Sequence, residues 1–482
     1  MSTLDWLEEA TIITLQKEMV AGRITARRLM TYYLERIAAL DSGGPKLNSI
    51  LELNPDAVFL AEALDHERIV QGPRSLLHGI PVLIKDNIDT GDKMHTSAGS
   101  LALANSYAKE DAFLISRLRQ AGAIILGKTN MTEWANFMTR GMKNGYSSRG
   151  GQVLNPYGPG VFDVGGSSSG SGAAIAANLA TIAVGTETSG SIISPANRNS
   201  IVGIKPTVGL ISRHGIIPIA PSQDTAGPLA RNVTDAAILL GALAGVDPRD
   251  PATLVCQDRS QNDYSLFLDA NGLQGARLGV PRNYYERLDD DSLQLMQSAI
   301  AAMEKAGATI VDPVTIPSAS AKTDNKVLVY EFKPALNAYL GKLSPQVPVH
   351  TLRELIAYNQ QNAETMLKYG QTLLIESEAT SGTLTEPEYI RARLRDLQLS
   401  REEGIDAALA NYDLDALLLP GAWGASLAAK AGYPSICVPA GYLPNGSPMG
   451  VTFVASAFEE PLLIKLAYAF EQATRKRRPP QL

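Results

Sequence analysis

Gly165-Gly166-Ser167-Ser168-Ser169-Gly170-Ser171-Gly172-Ala173-Ala174-Ile175-Ala176-Ala177 passes from a glycine and serine tract straight into an alanine-rich apolar run. Shortly afterwards Thr181-Ile182-Ala183-Val184 reads as a buried strand. A flexible linker has a similar composition, but a linker does not pass directly into an apolar helix. Loop, helix and strand in succession form one unit of an α/β fold. A Gly/Ser loop entering a helix also presents backbone N–H groups at the positive end of a dipole, a setting for an anion or an oxyanion.

The same texture extends on both sides. Residues 80–84, 123–126, 182–184 and 201–204 are short apolar runs, and helical segments such as 111–121 and 173–179 lie between them. This alternation predicts an α/β core whose sheet is buried on both faces. The N-terminal stretch is helical instead. Leu15, Met19, Leu29, Tyr32, Tyr33, Ile37 and Leu40 recur at helical spacing, and Thr25 is placed to cap one helix. We therefore divide the chain into N-terminal helices (1–72), a catalytic core (73–317), a helical insertion (318–411) and a C-terminal return to the sheet (412–482). The insertion is marked by Tyr330, Phe332, Leu336 and Tyr339, and the return by the apolar runs 416–419, 435–438 and 449–454. A helical insertion between two sheet-forming parts is a natural wall for a substrate pocket.

Composition excludes several classes. With 45% hydrophobic and 19% charged residues, the 482-residue chain has ordinary globular composition. Its net charge of −6 is spread without a basic stripe, so no nucleic-acid partner is expected. The one basic cluster, Arg475 to Arg478, follows the pattern Leu462, Leu463, Leu466, Ala467, Phe470 and reads as a helix C-terminus. Cys256 and Cys437 stand far apart without histidine spacing, which indicates neither a disulfide framework nor a zinc site and fits a reducing compartment. Residues 1–22 lack the apolar core of a secretory leader, and no apolar stretch is long enough for a bilayer. A cytoplasmic protein without a membrane partner is expected.

Three segments carry candidate chemistry. Gly166 to Gly170 matches the Gly-x-Ser-x-Gly nucleophile elbow, a match that any glycine-flanked serine run produces. Neither a Walker Lys-Ser/Thr pair nor Gly-x-Gly-x-x-Gly is present, so nucleotide binding is not indicated. The second segment, Gly185-Thr186-Glu187-Thr188-Ser189-Gly190-Ser191-Ile192-Ile193-Ser194-Pro195-Ala196, follows the strand at 181–184. Small residues just before a serine suit acyl transfer, where a negative oxygen develops beside the nucleophile; an ordinary serine in a polar turn has the same appearance. In the third, Leu77 to Asp89, Lys85 ends an apolar strand. Such a lysine is a solvated charge, a partner for Asp86, or a buried base with a depressed pKa.

Together these segments resemble the amidase signature family, whose catalytic set is a serine, a second serine in a cis peptide, and a lysine. The resemblance covers nearly the whole chain and includes Thr96 to Ser100, Gly127 to Met131, Gly203 to Thr207 and Gly227 to Arg231. It implies one large α/β/α domain around a mixed, mostly parallel sheet. It assigns Lys85 as base, Ser167 as the cis serine and Ser191 as nucleophile, with the backbone N–H groups of Thr188, Ser189, Gly190 and Ser191 as oxyanion hole. Ser168 and Trp134 enter as supporting residues. The implied reaction is hydrolysis of a linear carboxamide through a Ser191 acyl-enzyme, with no cofactor, no metal and no obligate partner protein.

Two departures bear on the subgroup: Ser189 stands where many members have glycine, and Ile193 where many have arginine. The missing arginine argues against the glutaminase component of a tRNA amidotransferase. Residues 133–137, 148–152 and 369–371 look like the peptide amidase branch, which acts on C-terminal carboxamides. Two other readings stay open on sequence: an α/β-hydrolase esterase using Ser168 with His350, although residues 161–164 make a poor preceding strand, and a binding protein without turnover.

Overall fold

Apolar runs long enough for strands, with little alternation, are what a sheet covered on both faces requires. A computed structural model describes residues 5–482, so residues 1–4, the start of the stretch read for a leader, lie outside it. Among the described residues thirteen strands form: β1 (Ile50–Leu53), β2 (Pro81–Lys85), β3 (Ile124–Thr129), β4 (Tyr146–Ser147), β5 (Gly151–Gln152), β6 (Ile182–Glu187), β7 (Val202–Lys205), β8 (Thr225–Ala230), β9 (Arg277–Gly279), β10 (Thr309–Val311), β11 (Ala416–Pro420), β12 (Ser435–Tyr442) and β13 (Pro448–Val454). Eleven make one sheet in the order β1-β3-β2-β6-β8-β7-β12-β13-β11-β9-β10, and β4-β5 is a separate hairpin.

The sheet is mixed. Parallel pairing occupies two blocks, β3-β2-β6 and β11-β9-β10. The stretch from β6 through β8, β7, β12 and β13 to β11 is antiparallel throughout, as is the β1 edge, so the expected parallel character belongs to the two flanks and not to the middle. Burial on both faces explains why sequence does not separate these cases: β6, β7, β8, β11 and β13 are buried at every position, so alternation gives no sign of partner direction.

Helices Ile12–Val20, Ala26–Arg36 and Ala57–Gln71 form the N-terminal layer, and Thr25 accepts the Arg28 N–H at 3.1 Å as its cap. Between β10 and β11 the chain is helical, with Lys326–Leu340, Leu352–Gln361, Thr372–Glu378 and Pro387–Leu397. These helices share a hydrophobic core with the core segment after β3: Phe332, Leu336 and Leu355 pack with Trp134, Phe137 and Met138.

The helix after the Gly/Ser tract is Ser169–Ala176, beginning four residues before the alanines. Glycine is needed there for approach, not for bending. A Cβ on Gly170 would stand 2.2 Å from the Ser49 carbonyl and 2.3 Å from that of Asn130. Propensity alone places no helix on such residues; packing does. The C-terminal helix, Glu460–Thr474, stops before the basic cluster, so these cations lie beyond its last turn, contrary to the sequence reading. Arg475 is left-handed (φ 43°), which turns the chain so that Arg477 enters the protein and pairs with Glu9 at 2.6 Å. No described helix is long and apolar enough to cross a membrane.

Candidate active site

Lys85 ends β2 with its side chain fully buried. Its Nζ lies 2.8 Å from Ser167 Oγ, 2.9 Å from Thr186 Oγ1 and 3.3 Å from the Thr186 carbonyl. Asn87 Nδ2 donates to the same Thr186 hydroxyl at 3.0 Å. Burial pushes the Lys85 ammonium down to about 7, against the opposing pull of Glu187 and Asp224. A lysine surrounded by hydroxyls in place of a contacting carboxylate is suited to holding and releasing a proton near neutrality.

Ser167 follows a cis peptide bond after Gly166. Its carbonyl accepts the Thr132 N–H at 3.1 Å, and the helix that it precedes packs on β2, β3 and β6. The far end of that helix is closed by cations: Arg36 donates to the Ala177 and Asn178 carbonyls at 3.0 Å, and Arg477 to the Ala176 carbonyl at 3.2 Å. Two N–H groups of the loop are already paired and do not serve an anion. The Ser168 N–H is taken by the Ser191 carbonyl at 3.3 Å and the Gly170 N–H by the Asn130 carbonyl at 2.9 Å.

Ser191 is 7% exposed and lies between β6 and the short helix Ile193–Arg198. Its backbone is tied to the Ser167 loop through Ser168. The loop between β6 and Ser191 is organised by Glu187, which sequence reasoning did not single out. One Glu187 oxygen accepts Gly190 N–H at 2.8 Å; the other accepts Ile192 and Ile193 N–H at 2.7 and 3.0 Å. This removes one member of the predicted oxyanion set, because Gly190 turns its N–H to the carboxylate, and leaves Thr188, Ser189 and Ser191 as the candidates. These three N–H groups have no protein acceptor among the described residues. Gly190 holds the turn with φ 85°, a conformation natural to glycine. Thr188 is pinned in turn, its hydroxyl donating to Asp224 at 2.5 Å.

Ser168 is committed elsewhere. Its hydroxyl accepts the Thr186 N–H at 3.2 Å and donates to the Thr186 carbonyl at 3.1 Å. His350, its suggested partner, instead has Nδ1 3.3 Å from the Leu340 carbonyl in the insertion, so the esterase reading loses both residues. Trp134 is buried in a turn where it, Ala135 and Asn136 all have positive φ (50°, 54° and 69°), and its Nε1 has no hydrogen-bond partner. Asn87, Thr186 and Glu187 were legible only as polar residues inside the quoted segments, and Asp224 lay outside them; their roles depend on which groups they reach in the fold.

A cavity of about 480 Å³ adjoins this constellation, its walls including Asn87, Thr186 and Thr188 but neither Ser167 nor Ser191. Among the described residues no cluster of three or more His, Cys, Asp or Glu is arranged to hold a metal.

With this geometry in view, comparison with known proteins is specific. Residues 28–427 match the family model described as Amidase. The chain is 47% identical to the native peptide amidase from Stenotrophomonas maltophilia, covering 99% of each chain with a TM-score of 0.92. A probable amidase of Arabidopsis thaliana is 41% identical, over 98% of this chain and 92% of that protein. A glutamyl-tRNA(Gln) amidotransferase component from Ralstonia pickettii is more distant, at 33% identity over 96% of this chain and 98% of that protein.

Proposed function

The chain belongs to the amidase family, hydrolases of linear amides, and from that premise we propose that its substrate is a C-terminal peptide carboxamide, cleaved to the free acid and ammonia. The observation that carries the mechanism is the buried contact of 2.8 Å between Lys85 Nζ and Ser167 Oγ. Neutral Lys85 accepts a proton from Ser167, Ser167 takes one from Ser191, and Ser191 Oγ attacks the carboxamide carbon. The N–H groups of Thr188, Ser189 and Ser191 receive the developing oxyanion. Ser167 then returns the proton to the departing ammonia, and water hydrolyses the acyl-enzyme. The higher identity to the peptide amidase than to the amidotransferase component supports the peptide reading, as does Ile193 in place of arginine. Two buried thiols, both unbonded, support a cytoplasmic location. We read the enzyme as acting without an obligate partner.

Ammonia release from peptide amides, fatty amides, aryl amides and glutamine tests this directly. Peptide amides lead the series on this reading. Preferred turnover of glutamine, together with copurification of a tRNA-binding chain, would reverse it.

A further inference from the structure

The burial of the cavity's lining gives it a direction. At one end Asn87, Thr186 and Thr188 are buried, and these residues either contact Lys85, flank it or begin the loop that leads to Ser191. At the other end Lys109 and Lys342 are exposed. The lining is largely apolar, with Ile217, Ile219, Ala335 and Leu343, and its polar members include Asp224, which is buried, and Asp89, which accepts the Tyr339 hydroxyl at 2.7 Å. The inner end also holds an unused acceptor: Asn87 Oδ1 is buried and has no hydrogen-bond partner. A buried acceptor left unpaired in a native fold calls for a donor from a ligand or from water.

The charges at the mouth are not equivalent. Arg213 is bound to Asp250 at 2.5 Å, and Arg249 reaches Asp247 at 3.2 Å and Glu110 at 3.4 Å. His214 lies 3.8 Å from Glu110, so that exposed carboxylate already has two neighbours of potential positive charge. Lys109 and Lys342 have no carboxylate within 4 Å among the described residues. Instead Lys109 Nζ donates to the Lys342 carbonyl at 3.2 Å, which holds the two lysines together across the junction of core and insertion.

We propose that this cavity receives the acyl part of the substrate, and that it selects peptide amides with an apolar residue beside the carboxamide and an acidic residue farther out, paired with Lys109 and Lys342. The assignment rests on the peptide-amide reading and narrows it. Asn87 Oδ1 accepts an N–H of the substrate at the inner end. The apolar wall takes the side chain next to the scissile group, and the two ammonium groups meet the carboxylate as the peptide leaves the cavity. Attraction between exposed charges is modest and screened by salt, so it biases affinity and leaves the chemical step alone.

The test uses the full-length enzyme and peptide amides of constant apolar C-terminal residue, in which glutamate or lysine is stepped back position by position from the carboxamide. At low salt the glutamate peptides should exceed the lysine peptides in kcat/KM by roughly fivefold at one spacing, through KM, and the ratio should fade at high ionic strength. Lys342→Gln should lower that ratio, and the double charge reversal Lys109→Glu with Lys342→Glu should invert it. An unbiased wild type overturns the assignment, as does a bias that survives the double reversal. Failure of the wild type to release ammonia from any peptide amide, while it still turns over aryl or fatty amides, sinks the peptide reading instead, so the two failures are distinguishable.

Discussion

Lys85 and Lys128 stand on neighbouring parallel strands, both fully buried, and have opposite surroundings. The register partner of Lys128 is Ile84, not Lys85, so the two side chains leave the sheet on opposite faces. Lys85 meets the hydroxyls of Ser167 and Thr186. Lys128 donates to the Ile88 carbonyl at 2.7 Å and to Thr96 Oγ1 at 2.9 Å, with Asp86 and Asp89 close enough to favour its charge. Burial drives both ammonium groups down from the ordinary value, but Lys85 lies against two hydroxyls, those of Ser167 and Thr186, where Lys128 has one hydroxyl and nearby carboxylates. Residue type and burial therefore do not identify a base; the neighbours do.

The proposed division of labour can be broken in several places. The largest effect should come from Ser191→Ala, which removes the nucleophile and should lower ammonia release by on the order of 10⁴-fold or more, while Ser167→Ala keeps a trace of turnover. Rates like those of the wild type in either variant would falsify the assignment. Next, Lys85→Ala should remove most of the rate together with its pH dependence. In the wild type the free amine is the active form, so kcat/KM should rise with pH to a plateau, with a midpoint of about 7. Lys85→Arg should not restore activity, because guanidinium holds its proton. An acid limb that persists in residually active Lys85→Ala enzyme points to another base, whereas Lys128→Met should leave the midpoint in place.

A smaller loss is expected from Glu187→Gln. A carboxamide offers one acceptor oxygen where the carboxylate offers two, so the loop holding Thr188, Ser189 and Ser191 loosens. We expect kcat to fall by roughly 10 to 100-fold with KM little changed; a change in KM alone would mean that the loop contributes to binding and not to the transition state.

The finest comparison is in stability. The folded state holds Lys85 at about 7 against an ordinary 10.5, so it resists protonation. The resulting penalty grows as pH falls from the unfolded value and is complete below about 7. Lys85→Met should therefore stabilise the protein in mildly acidic buffer, by about 2 kcal/mol once the two hydroxyls that lose their partner are counted, and by less in alkali. Lys128→Met should do the opposite and cost on the order of 1 to 3 kcal/mol, because the Ile88 carbonyl and Thr96 hydroxyl lose their donor and Asp86 and Asp89 lose a nearby positive charge. Thermal melts of both variants across pH would decide between these signs.

What could be read from sequence followed from continuity along the chain. Lys85, Ser167 and Ser191 each sit at the edge of a strand or helix whose apolar run is unmistakable, and the family resemblance then assigns their roles. Strand direction was hidden because β6, β7, β8, β11 and β13 are covered on both faces. The start of the helix at Ser169 was hidden because glycine and serine disfavour helix, and only its close approach to Ser49 and Asn130 explains it. The capture of Gly190 by Glu187 was hidden for another reason: it depends on a carboxylate folding back over three residues of its own loop, which residue spacing does not reveal.

Arg477 also bears on the order in which the protein is made. Its guanidinium joins Glu9, near the beginning of the described chain, to the Ser200 and Ala176 carbonyls, the latter on the helix that follows Ser167. Contacts between residues so far apart in sequence close late and slowly. A nascent chain with Arg477 still in the ribosomal exit tunnel would lack this clasp, and the helix behind Ser167 would lack one of its two terminal arginines. Competence for catalysis should therefore arrive with the emergence of Arg477 and not with completion of the sheet at β13. A ribosome-stalled chain carrying a C-terminal spacer long enough to expose Arg477 should react with a fluorophosphonate at Ser191 more readily than one stalled with Arg477 still enclosed.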